Sequence, residues 1–534
     1  MTAATLSPDS QTSNSTRYVV LLGAIIVQLI LGTVYGYSIF WQPLNSTVFP
    51  TVMTTTEHTE ALTANPELDK QKDIIVVGDE MAKVTQQAVQ QGYLKYVFAI
   101  CILSFAVVMV LAGRVQDIMG PRFTAIIGAV LMGVGFMIAG LMRSPIIFYL
   151  AHAAFTGAAA LVMLMMYHAI FGKADMEKMP ALKYVPSALI VAAVTAGLLL
   201  GNTYVGKIGE WDKIFLLWGT VGFLAGAGIG FAYVCPIAAL IKWFPNQKGL
   251  VSGLAVAGFG FGAFLFKGDT YGALGYIRSH GIIPFFLVHG LVCLVGITIG
   301  AMMLRNPPDV APAKSSDVKS TDSVWQDTLR RPAFYVLWLM FFSGAMAGLM
   351  VIGIVKDFAG QQLIDAAEAE GAVLSGAVRG DWLVRGAAAV GWLAIFNAVG
   401  RVAWGFVSDW IGRSAALVAM FVFQAIMMYL LAGMNTEVSL AVAASVVGFN
   451  FGGNFALFPS ATADLFGAKN LGANYGWVFT SYGIAGVVGV AAGNTAKVMT
   501  GSYHDAFLLA SALCLLSAIL AIGLRYMSGK KSPA

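Results

Sequence analysis

Charge is what this sequence has least of. Of its 534 residues, 11% are Asp, Glu, Lys or Arg and 58% are hydrophobic. A water-soluble core of this size needs far less apolar sequence, so the composition points to an all-α polytopic membrane protein and away from nucleic-acid partners. Cysteine is scarce too. Cys101, Cys235, Cys293 and Cys514 all lie in apolar segments, and neither a disulfide framework nor a metal site follows from them. The six histidines lack ligand spacing; His152, His168 and His289 fall inside apolar segments and read as hydrogen-bonded packing groups rather than a proton relay. No cofactor is expected. No nucleophile–base pair stands out at membrane depth, so no enzyme is expected either. A basic-then-apolar leader with a small-residue cleavage site is also missing, which makes the first apolar helix the expected insertion signal.

Carboxylates are scarcest where the chain is most apolar. The 27 acidic residues fall in tails, in loops or at helix ends such as Asp117, Asp269, Asp357, Asp409 and Asp464. Against this stands Arg401, inside the apolar run Ala387–Arg413 and eight residues before Asp409. Eight residues of helix span about 12 Å, which puts Arg401 near the midplane of a ~30 Å hydrocarbon core. A guanidinium there cannot shed its proton and needs a partner or a wet cavity. Two readings follow. In one, Arg401 bonds to backbone carbonyls and a nearby Asn and holds helices together. In the other, its missing counter-ion is a small anionic substrate.

Apolar runs at 17–43, 92–112, 123–143, 145–171, 184–206, 213–241, 248–267, 281–304, 332–357, 387–408, 414–433, 438–460, 473–498 and 506–528 predict fourteen spans. The basic residues place both termini in the cytoplasm of an integral membrane protein, with a bacterial inner membrane the expected setting. The expected order is a disordered tail at 1–16, an N-terminal bundle over 17–304 and a cytoplasmic linker at 305–331. A C-terminal bundle over 332–528 and a tail at 529–534 complete it. Two external loops are expected, at 45–91 and 358–386.

The two bundles repeat each other. GRVQDIMGPR (113–122) and GFVSDWIGR (405–413) share a Gly, an Asp four residues on, another Gly and a basic residue; they single out Gly113, Asp117, Arg122, Gly405, Asp409 and Arg413 as conformational latches. Gly230 precedes Pro236 by six residues, as Gly453 precedes Pro459, and thirteen residues separate Pro236 from Gly249 and Pro459 from Gly472. Asp117 to Pro236 is 119 residues and Asp409 to Pro459 only 50, so the first half carries about 69 extra, read as two inserted helices within 145–206. The architecture is then six plus six core helices and an inserted pair.

These residues resemble the major facilitator superfamily. QLILGTVYGYSIFWQPL (28–44), GRVQDIMGPR, the 228–263 stretch, NAVGRVAWGFVSDWIGR (397–413) and GGNFALFPSATADLFG (452–467) are similar to its oxalate/formate antiporter family, relatives of monocarboxylate transporters. The resemblance implies a small carboxylate bound between the halves and exposed alternately to each side, with Arg401 matching the arginine that binds it. It also implies a second, lysine cation, where the matching stretch of this chain has Tyr482, and an Asp one turn before the arginine, where it has Asn397. One cation favours formate, acetate, lactate, pyruvate or glycolate over oxalate.

Gln28 and Tyr35, seven apart on one helix face, are expected to line the cavity with Tyr233, Asn454, Phe479 and Tyr482. The expected function is a secondary active transporter of a small monocarboxylate, antiporter or symporter, with a proton or counter-transported anion and the lipid bilayer as partners. Oxalate/formate exchange is one alternative. A membrane carboxylate sensor that moves nothing is the other.

Overall fold

The computed structural model describes residues 8–64, 74–144, 209–266, 273–308, 322–371 and 376–527, with isolated positions between 187 and 196. The inserted pair at 145–206, the middle of the 305–331 linker and the 529–534 tail lie outside the described residues.

Helix α1 (Pro8–Leu31) runs on as a 3₁₀ turn over Gly32–Phe40, and α2 (Trp41–Val48) follows. Residues 8–16, expected in a disordered tail, instead open α1. Strand β1 (Thr51–Thr54), α3 (Thr55–Ala64) and β2 (Ile74–Val77) form a small cap in which the strands pair in parallel, Thr51 opposite Ile74 and Thr54 opposite Val77. The described residues of the loop expected at 45–91 thus form helices and a strand pair. The Lys83 ammonium, 2.5 Å from Glu57, holds that carboxyl below the usual glutamate range and pins the cap to the next helix.

That helix, α4 (Glu80–Met119), begins with Asp79 accepting from the Ala82 amide at 2.8 Å. Its 40 residues are about 60 Å long, well beyond the bilayer core. Gly120, at φ 87°, turns the chain and Pro121 opens α5 (Pro121–Ala139). Then come α6 (Glu210–Leu217), a π-helical stretch at Trp218–Leu224, α7 (Ala225–Trp243), α8 (Lys248–Phe266), α9 (Ala273–His280) and α10 (Ile282–Met303). The linker stretch ends in α11 (Trp325–Arg330), and past it lie α12 (Pro332–Ala369), α13 (Gly376–Ile411), α14 (Arg413–Leu431), α15 (Glu437–Phe466), α16 (Leu471–Thr500) and α17 (His504–Met527). Gly412, at φ 88°, turns α13 into α14 as Gly120 does for α4 and α5. Pro236 and Pro459 sit inside α7 and α15, both buried.

Eleven helices among the described residues are long and apolar enough to cross a membrane, and Lys248–Gly262 is a shorter apolar helix beside them. Together they supply six core helices on each side of the linker. One expectation needs correcting. The stretch 358–386 is not a polar loop: α12 continues to Ala369 and α13 starts at Gly376. Its Ala, Gln and Glu residues are good helix formers, and Gly371, at φ 91°, provides the break.

The halves meet along two seams. In one, α4 of the first half packs on α16 of the second; in the other, α8 packs on α13 and α15. Glycines set the spacing in the second seam. A methyl group on Gly253 would overlap the Arg401 carbonyl, and one on Gly405 would overlap that of Gly249. Two helices whose backbones approach this closely have no room for side chains between them.

Candidate functional site

Arg401 is fully buried, and no other Arg, Lys, Asp or Glu among the described residues is. Its guanidinium leaves α13 and reaches over the seam. Nε donates to Asn397 Oδ1 at 2.9 Å, one helical turn earlier, and Nη1 donates to the Val256 carbonyl of α8 at 2.8 Å. The cation lies 4.4 Å from the Phe455 ring centroid and 5.7 Å from that of Phe259. Asn397 and the carbonyl are the contacts of a brace between helices. They do not exhaust the group: Nη2, with two N–H donors, makes no hydrogen bond of ordinary geometry. No acid is within reach to neutralise the charge among the described residues.

Around this cation the structure gathers most of the residues singled out in the sequence. The Tyr35 hydroxyl, in the 3₁₀ end of α1, lies 3.0 Å from that of Tyr482 on α16 and also interacts with Arg401. Phe479 packs on Tyr482 with ring centroids 4.9 Å apart and on Tyr233 at 5.4 Å. Gln28 contributes differently. Its Nε2 donates to the Tyr233 backbone carbonyl at 2.9 Å, tying α1 to α7. Asn454 stands apart from the group. Its amide nitrogen donates to the Asn450 and Phe451 carbonyls of α15, while its buried Oδ1 has no hydrogen-bond partner and lies against Gly344 of α12.

Sequence reasoning overlooked Tyr475, Phe105, Phe259, Phe341 and Phe455. All five are buried. Tyr475 sits seven residues before Tyr482 and so on the same helical face, which was a usable signal. The phenylalanines are indistinguishable in sequence from lipid-facing ones.

Of the Gly–Asp–Gly motif residues, Asp409 lies about two turns beyond Arg401 on α13, and Asp117 holds the matching place on α4. Asp117 at the end of α4 accepts from the Gly472 and Ala473 amides that open α16, at 3.1 and 2.7 Å. Asp409 at the end of α13 accepts from the Gly249 and Leu250 amides that open α8, at 3.0 and 2.7 Å. Each acid of one half thus caps a helix of the other, where unpaired N–H groups and the helix dipole attract a carboxylate. The two latches differ in support. Arg413 pairs with Asp409 at 2.6 Å and with Asp464 at 3.0 Å, and Lys248 pairs with Asp464 at 2.7 Å. Arg122, the counterpart of Arg413, is exposed and makes no ion pair among the described residues. Gly113 and Gly405 serve close packing, Gly113 against the Gly472 carbonyl.

A bilayer-crossing bundle built twice, latched between its halves and holding one buried cation at their seam, is the construction of a membrane transporter. The sequence profile of the Major Facilitator Superfamily matches residues 176–378 and 383–534, and the chain belongs to that superfamily. Among similar proteins, the uncharacterized MFS-type transporter YhjX of Escherichia coli is 30% identical over 55% of this chain and 68% of its own length. The oxalate:formate antiporter of Oxalobacter formigenes is 29% identical over 61% of this chain and 72% of its own. Apicoplast pyruvate carrier 1 of Toxoplasma gondii is 28% identical over 54% and 61%. One of these relatives is an oxalate:formate antiporter, in line with the family that the motifs suggested. In fold, the chain is similar to the proton:xylose symporter XylE at a TM-score of 0.55, with 14% identity and 95% of both chains covered.

Proposed function

We propose that this transporter carries a small monocarboxylate anion (formate, acetate, lactate, pyruvate or glycolate) by alternating access, with Arg401 as the carboxylate's counter-ion. One observation carries the reading: a fully buried guanidinium with no acidic partner and one nitrogen left without a hydrogen bond. Burying a lone charge costs several kcal/mol, so a site that does so is made for a ligand of opposite sign. Asn397 fixes the guanidinium plane, and the Tyr35–Tyr482 pair offers neutral donors beside it. When the halves rock about their seams, Val256 moves relative to Arg401, and a carboxylate can replace its carbonyl. The setting is a bacterial inner membrane with both termini in the cytoplasm, and the linker at 305–331 divides the moving halves.

Reconstituted in proteoliposomes, the wild-type chain accumulates labelled monocarboxylate and Arg401→Ala falls to the protein-free background. Unchanged uptake by Arg401→Ala overturns the assignment. The likeness to an oxalate:formate antiporter favours oxalate/formate exchange as a second reading. It requires a second cation, and Tyr482 is neutral. Exchange of labelled oxalate against formate decides between the two.

A further inference from the structure

Two buried hydroxyls close to Arg401 make no hydrogen bond of ordinary geometry. Tyr233 reaches in from α7 in the first half and Tyr475 from α16 in the second; both residues are fully buried. The hydroxyls face one another without closing a hydrogen bond of ordinary geometry, and both feel the charge of Arg401. Rings fix their direction. Tyr233 packs edge-on against Phe105 at 5.0 Å and Phe259 at 5.2 Å, and Tyr475 against Phe479 at 5.7 Å. Buried phenols normally find a partner, and two unsatisfied ones at the same seam mark a place kept for a polar atom that arrives from outside.

We propose that Tyr233 and Tyr475 bind the second oxygen of a 2-hydroxy or 2-oxo monocarboxylate whose carboxylate rests on Arg401. The inference rests on the carboxylate reading of Arg401 and narrows it. A phenol is a neutral donor, suited to a hydroxyl or keto oxygen. A second carboxylate placed there would be a buried charge with no cation, as oxalate would require. Acetate or propionate would leave both hydroxyls as they are. Leaving one buried polar group unsatisfied weakens binding by roughly 5- to 150-fold.

Lactate and propionate differ by that one oxygen and make the test. Uptake of labelled lactate into proteoliposomes is competed with unlabelled lactate, pyruvate or propionate, for the wild type and for Tyr233→Phe and Tyr475→Phe, which keep the ring volume. The wild type is expected to prefer lactate and pyruvate over propionate by at least about fivefold, and each Phe variant to lose most of that ratio. Equal competition by propionate in the wild type overturns the proposal, as does a ratio that survives in both variants. No uptake of any monocarboxylate by the wild type overturns this proposal and the Arg401 reading together. Uptake without discrimination overturns this one alone.

Discussion

Arg401 on α13 and the Val256 carbonyl on α8 share a hydrogen bond of 2.8 Å across the seam between the halves. The same side chain therefore belongs to the candidate site and to the contact that closes it. A ligand that takes Nη1 or Nη2 competes with the protein's own backbone, and binding is coupled to the spacing of α8 and α13. Coupling of this kind is how a site biases a two-state bundle, since only differential contacts in the two states can shift their populations.

Arg401→Lys tests the shape of the cation rather than its charge. A lysine keeps the positive charge and loses the planar fork, so it cannot hold Asn397, Val256 and a carboxylate together. We expect at least a tenfold rise in KM for monocarboxylate uptake, about the effect of losing one charge-assisted hydrogen bond. Uptake kinetics in proteoliposomes measure it. An unchanged KM would show that the fork is not used.

The latches give a second expectation. Asp409→Asn and Asp117→Asn each weaken two backbone-to-carboxylate hydrogen bonds, and hydrogen bonds to charged groups contribute about 1.5–3 kcal/mol each. Both variants should move the population towards a form open at the latch face, by about tenfold or more. Asp409→Asn should have the larger effect because it also removes the pair with Arg413 at 2.6 Å. Spin-label distances across the α4–α16 and α8–α13 seams report the shift, and an unmoved distribution in both variants would refute the latch role.

Gly253→Ala addresses the seam itself. The added methyl group would overlap the Arg401 carbonyl, so α8 must move outwards and carry the Val256 carbonyl with it. Overpacking of this kind costs about 1–3 kcal/mol. A lower thermal midpoint and reduced uptake are expected together. Full uptake at wild-type stability would mean that the close approach is not needed.

Much of this was legible in the sequence because membranes punish charge. A single arginine in an apolar run stands out, and Arg401 lies buried at the seam. The paired Gly–Asp–Gly turns were readable for the same reason, as polar punctuation between apolar runs, and the structure puts Asp117 and Asp409 in matching roles. Hydropathy failed where helices leave the lipid. Residues 358–369 continue α12 in polar sequence, and hydropathy reports contact with lipid, not helicity. For Asn454, repeat symmetry fixes a position on the helix and not which end of the amide its own backbone satisfies. Arg122 and Arg413 occupy matching places, yet among the described residues Arg413 pairs with Asp409 and Asp464 while Arg122 makes no ion pair.

The donors that Asp117 and Asp409 engage are main-chain amides, at Gly472, Ala473, Gly249 and Leu250. No codon change short of proline can delete a peptide N–H. Variation can therefore tune each clasp only from its acidic side, through the two aspartates and the cations around them. The halves differ in how those cations are held: Arg413 pairs directly with Asp409 at 2.6 Å, whereas Lys242 attracts Asp117 from further away.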